Sequence, residues 1–326
     1  MVIRNDLIEM IEKSKDLGIP LKVKNFNHVD LDAIGCSILL HDNVSMNLDK
    51  EFCTYESYAD INQAVIDFIK NEEYENYDLI FITDISVRVE VARLIDAHFG
   101  EKCILLDHHK TALALNTFSW AYVAEEHMED AKASGTSLVK QWLAIHGLYN
   151  YNSENFVEKV RRYDTWEWHD KFNDLEAKKL ADLFRIYGRN DFFNKYRGML
   201  RCVDKDLFDK TDNRLLELEQ KKIDSLVYKK NKQLKIVEFH GYKVGMVFAE
   251  DYISELGNRL CVDNPEIDFA VIVTLPYTFS FRGVGTKIDL GKFAEEHYGG
   301  GGHFNSAGAS ISAATLNNIL TDMGMR

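Results

Sequence analysis

The chain predicts an α/β fold: a parallel, doubly wound sheet joined by a helical connector to a smaller α/β domain. Three observations carry this expectation. Through residue 110, short apolar runs of strand length alternate with segments whose apolar residues recur at helical spacing, the pattern of parallel strands with right-handed crossovers. From residue 134 to about residue 232 the pattern is helical and strongly charged, and from about residue 234 strands return. The expected boundaries are residues 1–190, 191–233 and 234–326.

The opening MVIRNDLIEMIEKSKDL carries acids throughout and reads as an amphipathic helix, not a signal peptide. Residues 21–26 alternate as a strand and run into NHVDLDAIG, after which AIGCSILLH is small and apolar enough to be a helix on the sheet. A short strand at 51–55 and a helix at 60–70 lead to the stretch that organises the domain. There, apolar runs at 79–82 and 103–106 flank a helix with Val87, Val91, Leu94, Ile95 and His98 or Phe99 as its apolar stripe. The first run delivers Asp84; the second delivers Asp107, His108 and His109. Open α/β sheets build their sites at such strand C-termini.

Ser134-Gly135-Thr136-Ser137 opens a helix that reaches residue 146, and a second helix, 153–162, ends in RRYDTWEW. The segment DNRLLELEQKKIDSLVYKKNKQL is too charged for a core helix and reads as the connector. LKIVEF, YKVGMVFA, DFAVIVTL and YTFSFRGV then read as strands, with helices expected at 252–261 and 290–297 before GGGGH, and one short helix after it.

At 46% hydrophobic and 28% charged residues, the 326-residue chain has the composition of an ordinary soluble protein, and its apolar runs are far too short to span a membrane. Five cysteines without a CxxC pair suggest reduced thiols and a cytoplasmic setting, with Cys36, Cys103 and Cys261 as small core residues. The net charge of −13 disfavours long duplex nucleic acid, whose binding needs many cations to displace counterions. A small anionic substrate held by a few cations is not disfavoured. A homodimer is possible.

The candidate metal ligands are His28, Asp30, Asp32, Asp84, Asp107, His108, His109 and Asp164. The first three alternate along the chain, so an extended segment would turn them to one side. Carboxylates mixed with imidazoles suit Mn²⁺, Mg²⁺, Fe²⁺ or Co²⁺ better than a thiolate-rich structural zinc site. Four aspartates with two neutral imidazoles would repel one another without cations, and they balance two divalent ions. A two-metal hydrolytic centre follows, with ions roughly 3.5–4 Å apart and a shared carboxylate.

HVDLDAIG, the aspartate of TDIS, DHH and the aspartate of RRYDTWEW resemble motifs I to IV of the DHH phosphoesterase superfamily. GGGGHFNSAG resembles the signature of its C-terminal DHHA1 domain. The order, separations and two-domain layout match over nearly the whole chain. The HxDLD and YDTWEW forms are similar to nanoRNase B-type oligoribonucleases and depart from the longer His-x-x-x-Asp-x-Asp spacing of other branches. Ala33 stands where that type usually has glycine.

The resemblance implies one metal held by His28, Asp30 and Asp84, and another by Asp32, Asp84, His108 and Asp164, with Asp84 bridging. It implies catalytic roles for Asp84, His109 toward the substrate, and Asp107 fixing an imidazole by hydrogen bond. Mn²⁺ is the favoured ion, with Mg²⁺ or Co²⁺ as alternatives. Arg282 resembles the family's substrate arginine, able to take a phosphate bidentately, where Lys287 would act as a point charge. Gly301, Gly302 and His303 would complete the substrate side, the glycines letting the backbone approach an anion.

Trp166 and Trp168 are read as packing beneath the metal site or as a base-stacking platform, Arg161 and Arg162 as structural ion pairs or substrate contacts. Tyr252, Glu255 and Asn258 are candidates for the substrate-facing side of the second domain. The expected activity is a metal-dependent phosphodiesterase that hydrolyses short RNA or dinucleotides to mononucleotides. Alternatives on the same centre are a nucleoside 3′,5′-bisphosphate phosphatase or an exopolyphosphatase. The complete ligand set argues against a non-catalytic nucleotide sensor.

Overall fold

Strands β1 (Val23–Asn27), β2 (Cys53–Tyr55), β3 (Leu79–Thr83), β4 (Cys103–Asp107) and β5 (Ala121–Val123) form a wholly parallel sheet in the order β2-β1-β3-β4-β5. They belong to a computed structural model that describes residues 5–44, 46, 53–127, 131–201, 206–275 and 278–322. The chain divides into two units, residues 1–213 and 214–326.

In the first unit, β1, β3 and β4 are buried along their whole length, as a parallel sheet covered on both faces requires. Alternate residues serve opposite faces. Leu79, Phe81, Ile104 and Leu106 pack with helices α1 (Asn5–Leu17), α2 (Leu31–Asn43), α5 (Gly135–Ile145) and α6 (Glu154–Asp164). Ile80, Ile82, Cys103 and Leu105 pack with α3 (Ile61–Lys70) and α4 (Val89–His98). In the stripe expected around α4, Val87, Val91, Ile95 and Phe99 are buried, but Leu94 and His98 are exposed, so Phe99 and not His98 closes it. Each lies one residue before a buried one and so turns away from the sheet. A short ribbon pairs β6 (Glu126–His127) with β7 (Ala131–Lys132). Helices α7 (Glu167–Asp170) and α8 (Leu175–Tyr196) follow α6.

Helix α9 (Lys210–Gln233) begins in the first unit and continues in the second. The charge of this segment predicts a connector that joins no core. Ile223 and Val227, one turn apart, are nevertheless buried against Leu256 and Leu260 of α10 (Ile253–Asp263) and Ile272. Two apolar residues at i and i+4 are enough when the charges fill the other face.

The second unit holds a mixed sheet in the order β12-β13-β11-β10-β9-β8. Its strands are β8 (Lys235–Phe239), β9 (Tyr242–Phe248), β10 (Phe269–Thr274), β11 (Thr278–Arg282), β12 (Gly301–His303) and β13 (Ser306–Ser310). Only the β9–β10 pairing is parallel. Phe269, Val271, Phe279 and Phe281 face α11 (Leu290–Tyr298) and α12 (Ala313–Asp322), where Phe293, Leu316 and Ile319 complete the core. Residues 1–4, 51–52 and 277, expected in a helix and two strands, lie outside the described residues, as does Cys202. Cys36 and Cys103 are buried, and Cys261 is half-buried. Among the described residues, no helix is long and apolar enough to cross a membrane.

Candidate metal centre

The reversal of strand order between β1 and β3 opens a crevice at the strand C-termini, and the acidic residues converge there. The loop after β1 is built first. Buried Asn27 donates from Nδ2 to the Ala33 carbonyl and to Ser37 Oγ (2.9 Å), and its Oδ1 accepts the His28 amide at 3.0 Å. Asp30 caps α2 by accepting the Ala33 N–H at 3.0 Å, while its other oxygen lies 2.9 Å from His28 Nδ1.

Asp32 is 2% exposed and reaches across to the start of α5. There it accepts the Gly135 N–H at 2.5 Å and the Thr136 N–H at 2.9 Å. Thr136 returns its hydroxyl to the Asp32 carbonyl at 2.7 Å. The amide end of a helix, held open by the reciprocal Ser134–Ser137 cap, thus fixes a carboxylate.

Asp84 directly follows β3 with φ 57, a left-handed conformation costing a non-glycine residue about 1 kcal/mol or more. Its N–H bonds the Leu106 carbonyl at 3.0 Å, which holds the turn in place. From β4, Asp107 accepts Ser86 Oγ at 2.5 Å, the His108 amide at 2.8 Å and His109 Nδ1 at 2.7 Å. His108 Nε2 stands 3.3 Å from Asp84, 3.6 Å from Asp164 and 3.9 Å from Asp32. Asp164, the last residue of α6, enters from outside the sheet.

Electrostatics separate these carboxylates. Burial and the Asp32 and Asp30 charges push both Asp84 and Asp164 well above the usual carboxylate range. Burial opposes the ionisation of Asp30 and Asp107 too, but hydrogen bonds from His28 and Ala33, and from His109 and Ser86, outweigh it and hold both low. Asp84 Oδ2 and Asp164 Oδ2 are buried with no hydrogen-bond partner among the described residues. Buried carboxylate oxygens left unpaired beside other acids are costly, and cations would satisfy them. Three groups bring their donor atoms within 4.8 Å of one another: His28, Asp30 and Asp84; Asp32, His108 and Asp164; and Asp84, Asp107, His108 and His109. These oxygen and imidazole donors fit divalent ions of the Mn²⁺ or Mg²⁺ kind.

Over 293 residues the chain is 36% identical to Oligoribonuclease NrnB of Bacillus subtilis (strain 168), covering 88% of this chain and 72% of that relative. The chain belongs to the DHH phosphoesterase superfamily, with the NrnB type as its near relative. No family model matches it. Two solved structures share the fold of this DHH protein. A pGpG-specific phosphodiesterase, PggH of Vibrio cholerae, has a TM-score of 0.55 at 14% identity over 93% of this chain and 99% of that one. RecJ of Thermus thermophilus in complex with Mn²⁺ has a TM-score of 0.55 at 13% identity, over 98% of this chain and 54% of that one.

The basic and aromatic neighbours of the DHH centre differ in burial. Arg161 is buried between Glu158, Glu167 and the Lys132 carbonyl, and Arg162 bonds Glu158 and Asp174, so both make ion pairs. Trp168 is buried and stacks on Tyr163, whereas Trp166 is exposed. Sequence reading missed Asn27, Gly135 and Tyr58. A β-carbon on Gly135 would meet Asp84 Cβ at 2.6 Å and Asp32 Oδ2 at 3.1 Å, so the glycine lets two acids approach a helix end. Tyr58 Oη lies 2.7 Å from His109 Nε2. Only the proximity of ESYAD to a strand end could have drawn attention to it.

The remaining candidates sit on the second unit. Arg282 and His303 both pair in register with Ser306, on opposite sides of β13. The Arg282 guanidinium bonds the Phe281 carbonyl at 2.8 Å and Ser254 Oγ at 3.2 Å. Gly257 makes room for it, since a β-carbon there would meet Arg282 Cγ at 2.5 Å. Gly301, Gly302 and His303 are exposed. Gly302 has φ +149 and abuts Ala307 and Ser306, whereas Gly301 opens onto free space. One glycine serves hairpin packing and the other leaves backbone accessible. Tyr252 Oη donates to Glu219 at 2.6 Å.

Proposed function

We propose that this protein is a divalent-metal-dependent phosphodiesterase that hydrolyses short oligoribonucleotides, down to dinucleotides, to mononucleotides in the cytoplasm. The observation that carries the reading is Asp84. This buried carboxylate has one unpartnered oxygen and belongs both to the donor group with His28 and Asp30 and to the one with His108. In this reading His28, Asp30 and Asp84 hold one ion, Asp32, Asp84, His108 and Asp164 hold a second, and Mn²⁺ is preferred. When bound, such ions neutralise phosphoryl charge and make water acidic enough to act at neutral pH.

The chain's own residues do the rest. Asp107 orients His109, whose Nε2 hydrogen-bonds a phosphate oxygen next to the scissile bond. Arg282 grips a second phosphate through its guanidinium, with the Gly301–Gly302 backbone and His303 beside it. Short RNA as the substrate class is supported by the 36% identity to an oligoribonuclease and by the net charge of −13, which disfavours long polyanions.

The test is a substrate panel with purified protein and Mn²⁺: RNA dinucleotides to pentanucleotides, a long duplex, a nucleoside 3′,5′-bisphosphate and polyphosphate. Mononucleotides should appear fastest from the shortest RNAs. Failure of Mn²⁺ to stimulate their release rejects the reading, and preferred cleavage of bisphosphate or polyphosphate reassigns the substrate.

A further inference from the structure

Tyr58 is 51% exposed, yet its backbone is tied down on both sides. Before it, the Glu56 N–H bonds the Asn27 carbonyl at 2.8 Å; after it, the Asp60 and Ile61 amides bond the Ser57 carbonyl at 3.0 Å. The side chain therefore leaves from a turn fixed to both β1 and α3. Its ring centroid lies 4.6 Å from that of His28 at 33°, and 5.4 Å from that of His109 at 78°. Its hydroxyl reaches His109 Nε2 at 2.7 Å. One side chain thus spans two imidazoles that come from different strands.

The hydrogen bonds fix the roles along this chain of groups. Asp107 accepts from Ser86 and from the His108 amide, so it is a carboxylate acceptor and His109 Nδ1 carries the proton toward it. Nε2 is then the ring nitrogen left for substrate. A tyrosine hydroxyl both donates and accepts, so it can partner Nε2 whether or not that nitrogen is protonated.

We infer that Tyr58 is a positioning residue of this centre: its hydroxyl aims His109 Nε2 at the substrate phosphate, and its ring holds the imidazole of His28 in place. The inference rests on the phosphodiesterase reading for its kinetic consequence, but not for the geometry. Before substrate arrives, Oη fills the hydrogen bond that a phosphate oxygen will take or share, so the ring is not free to rotate. The hydroxyl and the ring serve different partners and can be removed separately.

The experiment compares wild type, Tyr58→Phe and Tyr58→Leu by dinucleotide hydrolysis with Mn²⁺, Mn²⁺ titration calorimetry, and nitrogen-15 spectra of histidine-labelled, Mg²⁺-loaded protein. Tyr58→Phe should lower kcat about tenfold, the range seen on removing a group that orients a catalytic imidazole, with KM and Mn²⁺ affinity close to wild type. Its His109 Nε2 resonance should shift while those of His108 stay in place. Tyr58→Leu should keep that loss and in addition bind Mn²⁺ several-fold more weakly. Wild-type kcat and an unmoved His109 resonance in Tyr58→Phe overturn the hydroxyl's role, and wild-type Mn²⁺ affinity in Tyr58→Leu overturns the ring's. A wild type inactive on RNA rejects the phosphodiesterase reading alone, because the spectra still decide whether Tyr58 holds His109.

Discussion

A β-carbon on Gly135 would stand 2.6 Å from the β-carbon of Asp84, closer than two such atoms can pack. The same glycine donates its N–H to Asp32 at 2.5 Å. The first residue of α5 therefore sets the separation of two acids that come from different parts of the chain. Gly135→Ala must push Asp84 or the helix start away. The expected cost is about 1–3 kcal/mol of stability, as for other overpacked cores, with weaker Mn²⁺ binding. Urea denaturation and calorimetry check both, and an alanine variant that matches wild type would show that the two acids are not locked by this contact.

Asp84 is crowded by other acids. Burial and the charges of Asp32 and Asp30 push it well above the usual carboxylate range, so in metal-free protein its ionised form is unfavourable. Asp84→Asn removes the ionisable group at nearly constant shape. The metal-free variant should be about 1 kcal/mol more stable than metal-free wild type, a gain typical of relieving a strained functional site. Hydrolysis should fall by about a thousandfold, in line with loss of a key electrostatic group. Melting without metal and rates with Mn²⁺ measure the two effects separately. Near-normal hydrolysis would reject Asp84 as a shared ligand.

Most of the fold was legible because its signals are local. The runs 79–82 and 103–106 are too apolar and too short for anything but buried strands, and observed β3 and β4 differ from them by one residue each. Asp84, Asp107, His108 and His109 were legible for the same reason, since a strand end announces where its polar residues surface. What sequence hid depends on contacts between distant segments. Gly135 matters only because Asp84 and Asp32 meet it, and Tyr58 only because its turn is tied to the Asn27 carbonyl. The charged α9 misled because Ile223 and Val227, the two apolar residues that bury it, are a small minority in a lysine-rich segment.

Arg161 ties the end of α6, which carries Asp164, to Glu158 and Glu167. It is 2% exposed. Arg161→Leu should cost about 3 kcal/mol at neutral pH, the lower end for breaking a buried pair, because Arg162 and Lys171 still reach the two glutamates. The loss should depend on pH. Burial works against the ionisation of both glutamates, but the Arg161 hydrogen bonds outweigh it and hold both below their ordinary value of 4.5. A depressed carboxyl stabilises the fold above its unfolded value and loses that contribution as pH falls through the folded one. The gap between wild type and variant should therefore be full above pH 4.5 and narrow below it, as read from denaturation curves at stepped pH. A gap constant down to strong acid would mean that Arg161 acts through packing alone.

Arg282 offers the sharpest separation of substrate binding from chemistry. Its guanidinium is steered by the Phe281 carbonyl and Ser254 Oγ, and burial lowers its pKa only from a value far above neutrality, so it remains a cation at any working pH. A lysine keeps the charge but has no planar fork, and it cannot bond a phosphate through two parallel N–H groups while keeping the contact to Ser254. Losing one charge-assisted hydrogen bond is worth about 1.5–3 kcal/mol. Arg282→Lys should therefore raise KM for a dinucleotide by about tenfold or more while Mn²⁺ affinity, read by calorimetry, stays at the wild-type value. Gly257→Ala provides the control for position: its new methyl group would displace the Arg282 side chain without removing it, and should raise KM in the same direction. An unchanged KM in both variants would remove Arg282 from the substrate site, whereas a fall in kcat at constant KM would place its contribution in the transition state instead.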